Sequence, residues 1–158
     1  MNRRSRLGVV AMTLAGLVGF LSVSVARAEH SCSFRSVSGS WGYRLAGSVI
    51  SDVTAPNYPN DGPWAGVGTL SFDRHGNVTG TGVLNSGDVF GNLTFSGTYS
   101  VGSDCTGTMA IDVIWHDEDF GIFSYALVFV DDSRELHMAD AEPGFVTNVD
   151  AKKISSGD

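Results

Sequence analysis

The densest group of side chains able to do chemistry is His116-Asp117-Glu118-Asp119, directly after Trp115. Carboxylates so close together can hold Ca²⁺ with help from backbone carbonyls, but their spacing is not that of an EF-hand loop. The run reads better as a charged hairpin turn. His75 falls in another turn, His137 alternates outward between Leu136 and Met138, and His30 lies near the start of the mature chain. No Gly-x-Ser-x-Gly, His-Glu-x-x-His or phosphate-loop pattern occurs. The remaining polar handles are the hydroxyls of Tyr43, Tyr99 and Tyr125 and the indoles of Trp41 and Trp115. Such groups orient a ligand or donate a hydrogen bond to a developing oxyanion. Without a partner base they do not make a hydrolase. The sequence therefore calls for no metal and no cofactor.

What positions those side chains is a set of short alternating segments. Twenty glycines are scattered among Thr, Val, Phe and Ser, and no convincing helical period follows residue 28. Eight strands are expected at 39–50, 65–74, 77–85, 88–101, 105–116, 120–131, 134–140 and 145–154. Turns such as Asp73-Arg74-His75-Gly76-Asn77 are short, so sequential strands pair antiparallel. The resulting fold class is all-β, an eight-stranded antiparallel up-and-down barrel, with a two-sheet β-sandwich as the alternative. Trp41, Tyr43, Leu45, Leu93, Phe95, Tyr99, Met109, Ile111, Val113 and Trp115 share the inward parity. On this pattern no charged side chain points into the barrel. Glycine pairs such as Gly66/Gly68 and Gly80/Gly82 read as barrel bends. Strand 120–131 is apolar on both faces, with Phe123, Tyr125, Leu127 and Phe129 opposite Ile122, Ala126, Val128 and Val130. It needs cover on both sides, from a terminal segment or from a second copy in a homo-oligomer. The connection from Ser51 to Trp64 is long, carries three prolines and two aromatics (Tyr58 and Trp64), and reads as a lid over one barrel mouth or as a packed loop.

Residues 1–28 read as a secretory signal peptide. Arg3, Arg4 and Arg6 precede an apolar run from Leu7 to Val25, and Ala26-Arg27-Ala28 gives the small-x-small cleavage pattern. Residues 29–158 then form a single exported domain, periplasmic or secreted, with no membrane attachment after cleavage. That domain holds six Lys and Arg against 17 Asp and Glu, a net charge of −11. Such a field repels polyanions and gives nucleic acid no counterion-release term. Cys32 and Cys105 are the only two cysteines and are most simply a disulfide in an oxidising compartment. Two Asn-x-Thr sequons, at Asn77 and Asn92, are given no role.

The strings Gly68-Thr-Leu-Ser-Phe-Asp73, Gly76-Asn-Val-Thr-Gly80, Gly97-Thr-Tyr-Ser-Val101 and Asp104-Cys-Thr-Gly-Thr108 resemble a group of exported, mostly uncharacterised bacterial proteins with an allene oxide cyclase-like, calycin-like β-barrel. The resemblance covers about residues 32–154. It implies a barrel that either folds a hydrophobic substrate in an apolar cavity, as a cyclase or isomerase, or has no reaction. No catalytic residue of a cyclase maps onto the chain. Three functions are expected in turn. The first is binding of a small apolar or aromatic ligand by Trp41, Tyr43, Tyr58, Trp64, Phe95, Tyr99, Trp115 and Tyr125, or of a partner at the surface. The second is a metal-free cyclase or isomerase. The third is a solidly packed structural or interaction protein.

Overall fold

The computed structural model describes residues 31–50, 62–87 and 89–157. The expected signal peptide and Tyr58 lie outside the described residues. Eight strands follow one another: β1 (Gly39–Val49), β2 (Gly62–Phe72), β3 (Asn77–Ser86), β4 (Val89–Tyr99), β5 (Thr106–Trp115), β6 (Glu118–Val130), β7 (Glu135–Asp140) and β8 (Phe145–Ser156). Every neighbouring pair is antiparallel, and β8 returns to β1, so the sheet closes as an up-and-down barrel with no free edge. The sandwich alternative is thereby set aside.

Alternation does most of the work. In β5 the residues Met109, Ile111, Val113 and Trp115 are buried and their neighbours are exposed. Strand β6 departs from that period once. Val113 pairs with Gly121, but Ile114 pairs with Asp119, so one extra residue is accommodated there. Gly121 sits at φ +99, and its amide donates to the Asp119 carboxylate at 2.9 Å. As a result both Phe120 and Phe123 turn inward, and their rings stack at 5.6 Å. The outward set of β6 lies on the surface of the single chain, with Ile122 69% and Val128 45% exposed.

The start of β2 corrects the expected loop. Gly62, Pro63 and Trp64 pair with Val49, Ser48 and Gly47. Pro63 is tolerated because β3 reaches only to the level of Trp64, so the second side of β2 has no partner for the amide that proline lacks. Trp64 is accordingly a buried strand residue rather than a loop decoration.

One end of the barrel is closed. A four-residue helix α1 (Phe34–Val37), capped by Ser33, crosses it and buries Val37 completely. The Trp41 indole donates to the Val37 carbonyl at 3.1 Å, and Lys153 Nζ donates to the Ser36 carbonyl at 2.7 Å. The rings of Trp41, Phe72 and Phe129 meet edge to face behind that plug. Cys32 and Cys105 form a disulfide that ties this segment to the start of β5. The sequence pointed to no helix here; one turn is too short to show a period.

Candidate functional site

Above the plug the interior is not full. A cavity of about 50 Å³, counted as space open to the centre of a water molecule, lies towards the opposite end. At about 10–15 Å³ per water on that measure, it holds a few waters or an organic body of about that size, well short of the roughly 150 Å³ that takes a benzene ring. Tyr43, Leu45, Trp64, Leu84, Leu93, Phe95, Ile111, Phe123, Tyr125, Met138, Thr147 and Val149 are among its walls. Among the described residues, none of the lining side chains carries a formal charge at neutral pH.

The eight residues expected to hold a ligand divide by position. Tyr43, Trp64, Phe95 and Tyr125 line the cavity together. Trp41 and Tyr99 belong instead to the closed end, where Tyr99 packs on Phe72 and Phe34. Trp115 is buried beside Phe120 and His116 near the end opposite α1. The Phe145 ring, which the sequence did not single out, stacks on Trp64 at 5.8 Å and meets Phe123 at 5.3 Å.

Glycines let these rings lie close to the wall. A Cβ on Gly80 would run into the Phe95 ring, with no other group among its three nearest atoms. One on Gly68 would come within 2.7 Å of the Tyr43 hydroxyl. At Gly80 the missing side chain makes room for an aromatic ring, and at Gly68 for both the facing backbone of β3 and the Tyr43 hydroxyl.

The polar atoms show the sharpest contrast between the two ends. At the closed end they are paired: the Tyr99 hydroxyl donates to the Asp73 carbonyl at 2.6 Å, and the Trp41 indole is satisfied by Val37. In the other half they are not. Tyr43 Oη, Trp64 Nε1 and Thr147 Oγ1, on residues that line the cavity, are buried without a hydrogen-bond partner, and so are Trp115 Nε1 and Asp140 Oδ2, on residues outside its lining. Leaving a buried polar group unpaired costs about 1–3 kcal/mol each. A fold does not gather several such groups on one cavity unless something else satisfies them.

Asp140 corrects the expectation that no charged side chain turns inward. It follows Leu136 and Met138 on the inward parity of β7 and sits directly opposite Tyr125 on β6. One carboxylate oxygen accepts the Glu142 amide at 2.8 Å. Burial pushes the Asp140 carboxyl above the ordinary carboxylate range, and the charge of Glu142 adds to the rise. The Glu142 amide and the neighbouring Thr147 hydroxyl pull the other way without offsetting it. The approach of Thr147 falls short of a hydrogen bond, since both its Oγ1 and Asp140 Oδ2 are left without partners. Burial lifts the Tyr43 hydroxyl to about 12. It raises the Tyr125 hydroxyl too, with smaller contributions from Asp140 and then Tyr43. Both phenols are therefore hydrogen-bond donors at neutral pH.

Comparison with protein-family models, with curated proteins and with solved structures gave no match. The closed eight-stranded barrel and its cavity are what the chain itself supplies for a functional reading.

Proposed function

We propose that this barrel is a receptor for a small, mainly apolar ligand held in the cavity of the half opposite α1. The reading rests on one observation: among the described residues, the buried side-chain polar atoms without partners lie on the cavity half of the barrel, and the Trp41 and Tyr99 handles of the closed end are paired. Apolar walls supply the affinity, and a few convergent donors fix the orientation. The Cys32–Cys105 disulfide supports an exported protein working in an oxidising compartment. An exported barrel of the allene oxide cyclase-like type remains the family reading we favour, carried by the turn strings around Gly76 and Cys105 and by the barrel they bracket.

A cyclase or isomerase is the second reading. Asp140 supports it, as a carboxyl with a raised pKa beside Tyr125 at an apolar cavity is the kind of group that exchanges protons with a substrate. Turnover needs a reacting atom between the two, whereas binding needs only the cavity.

Titration with 1-propanol, a body of about the size of a few waters, followed by the fluorescence of the buried tryptophans, tests the first reading. Saturable binding is expected, and it should disappear in Val149→Phe and in Val113→Phe, each of which places a ring in the cavity. The absence of saturable binding to the native protein, or binding that survives both fillings, refutes it.

A further inference from the structure

The outer wall of the barrel is divided by charge. On the β7–β8–β1 side, Glu135, His137, Asp150, Lys152 and Arg44 stand on the surface, and Asp150 is held by Arg44 and by His137, each at 2.8 Å. The other side differs. The outward positions from Pro63 to Ser71 on β2, Asn77 to Asn85 on β3, Phe90 to Thr98 on β4, Thr106 to Ile114 on β5 and Ile122 to Val130 on β6 carry one charged side chain, Asp112. Residues 29–158 hold six Lys and Arg against 17 Asp and Glu, a net charge of −11, so an uncharged wall of that width is conspicuous.

Within it, β4 to β6 have relief. Thr98, Ser100, Thr108, Ala110, Ser124 and Ala126 are small, and a groove runs over them on the outside of the sheet. Ile122, 69% exposed, projects from β6 beside that groove. The register sets the spacing. Ser124 lies opposite Ala110, and Ala110 opposite Thr98. One row to one side, Ile122 lies opposite Asp112; one row to the other, Ala126 lies opposite Thr108. Projection and recess are therefore equally far from the row Ser124–Ala110–Thr98.

A surface that carries a projection and its recess at equal distances from a line is complementary to itself when turned about that line. We infer that this face pairs with the same face of a second copy, in a homodimer whose two-fold axis runs along Ser124, Ala110 and Thr98. Ile122 then seats on the partner's Ala126, and Asp112 faces the partner's Thr108, whose hydroxyl can donate to it. The two Asp112 carboxylates lie four residues apart along the strands, about 13 Å, beyond the screening length of about 8 Å at physiological salt. Charge argues for a second copy at this place, since two chains of −11 repel wherever their acids meet, and here they meet without them. The contact also gives β6, apolar on both faces, the outer cover that the single chain lacks. The face is three strands wide, at the small end for a specific interface, so a dissociation constant on the order of 10 µM is expected. None of this involves the cavity, and it stands or falls apart from the receptor reading.

Sedimentation equilibrium of the oxidised protein over about 1–100 µM reads the association. A reversible dimer is expected, tightened by salt, which screens the remaining repulsion. Ala126→Arg fills the recess and should weaken the dimer by about tenfold or more, whereas Thr81→Arg, the same charge placed on β3, should not. Circular dichroism checks that both variants fold. In Ser124→Cys, on the axis, a short bis-maleimide should join two copies. In Val128→Cys the two thiols lie about 26 Å apart along the strands and should stay unjoined. A monomer throughout the range overturns the inference. So does a dimer that Ala126→Arg leaves intact, one that Thr81→Arg weakens equally, or cross-linking at Val128 and not at Ser124. Should Ala126→Arg fail to fold, the pair of cysteine variants decides alone.

Discussion

Replacing Cys32 and Cys105 together by serine removes a cross-link between residues 73 apart in sequence. In the chain-entropy treatment, releasing a loop of that length returns about 4 kcal/mol of freedom to the unfolded chain at 25 °C. Little native structure is lost in exchange. The segment that Cys32 anchors is also held by the Trp41–Val37 and Lys153–Ser36 hydrogen bonds and by the complete burial of Val37. The double variant should therefore keep the native far- and near-ultraviolet circular dichroism. Its unfolding free energy, read from urea titrations, should fall by about 4 kcal/mol, and its Tm by about 10–20 °C. The m value should rise, because an unlinked chain exposes more surface when it unfolds. A loss below about 1 kcal/mol refutes the reasoning. It would show that residues 31–38 leave the barrel before the strands separate, so that one anchor of the loop is already loose at the transition.

Three other predictions test separate parts of the fold. The Asp73 carboxylate accepts the His75 and Asn77 amides and the Asn77 side chain, chiefly the last, and these bonds lower its pKa to about 2. A depressed folded pKa contributes stability above the unfolded value and loses it as pH falls through the folded one. Thermal melts of native protein and Asp73→Ala should thus differ at pH 7 and converge as pH drops from about 4 to about 2; parallel curves would contradict the assignment. Asp140 has the opposite sign, since its raised pKa makes the folded state bind its proton more tightly than the unfolded chain does. Asp140→Asn should melt higher than the native protein at neutral pH, and the gap should close as acid protonates the carboxyl in both states. Gly80→Ala places a methyl group against the Phe95 ring and should cost about 1–3 kcal/mol by overpacking. Phe95→Leu should recover part of that loss in a double-mutant cycle, and additive effects would show that the ring is not what Gly80 accommodates.

The sequence carried the barrel because its strands obey a two-residue period over most of their length. Leu93, Phe95 and Tyr99 on β4, like Met109 to Trp115 on β5, are buried as that period requires. The exceptions have local causes. Phe120 joined the interior through an extra residue beside Gly121, and nothing in the string Asp119-Phe120-Gly121 distinguishes an irregularity there from an ordinary strand start. Pro63 hid the first residues of β2, because a proline argues against a strand unless one knows that its second side has no neighbour. Asp140, by contrast, was legible. Leu136 and Met138 fixed the inward parity of β7, and carrying it two residues further would have placed the carboxyl inside. It is the last residue of the expected strand 134–140, one step beyond the pair Leu136 and Met138 that sets the inward face.

These exceptions fall at the end opposite α1. The β6 irregularity, the one-sided start of β2 and the short β7 all lie there, around Trp64, Phe120, Phe123 and Asp140, and the unpaired polar atoms lie there too. At the closed end the plug, the disulfide and the ring cluster of Trp41, Phe72 and Phe129 leave the handles of Trp41 and Tyr99 paired. A barrel optimised only for stability would have paired both ends, since each orphaned group costs free energy that the closed end shows can be recovered. Interactions that the fold leaves unmade in one place, and makes in another with the same residue types, are the physical sign of a site awaiting a partner. If Tyr43→Phe and Thr147→Val each raise the melting temperature of the ligand-free protein, the cost is real and is retained for something outside the fold. If both lower it, these atoms already find partners in water and the argument for a ligand loses its foundation.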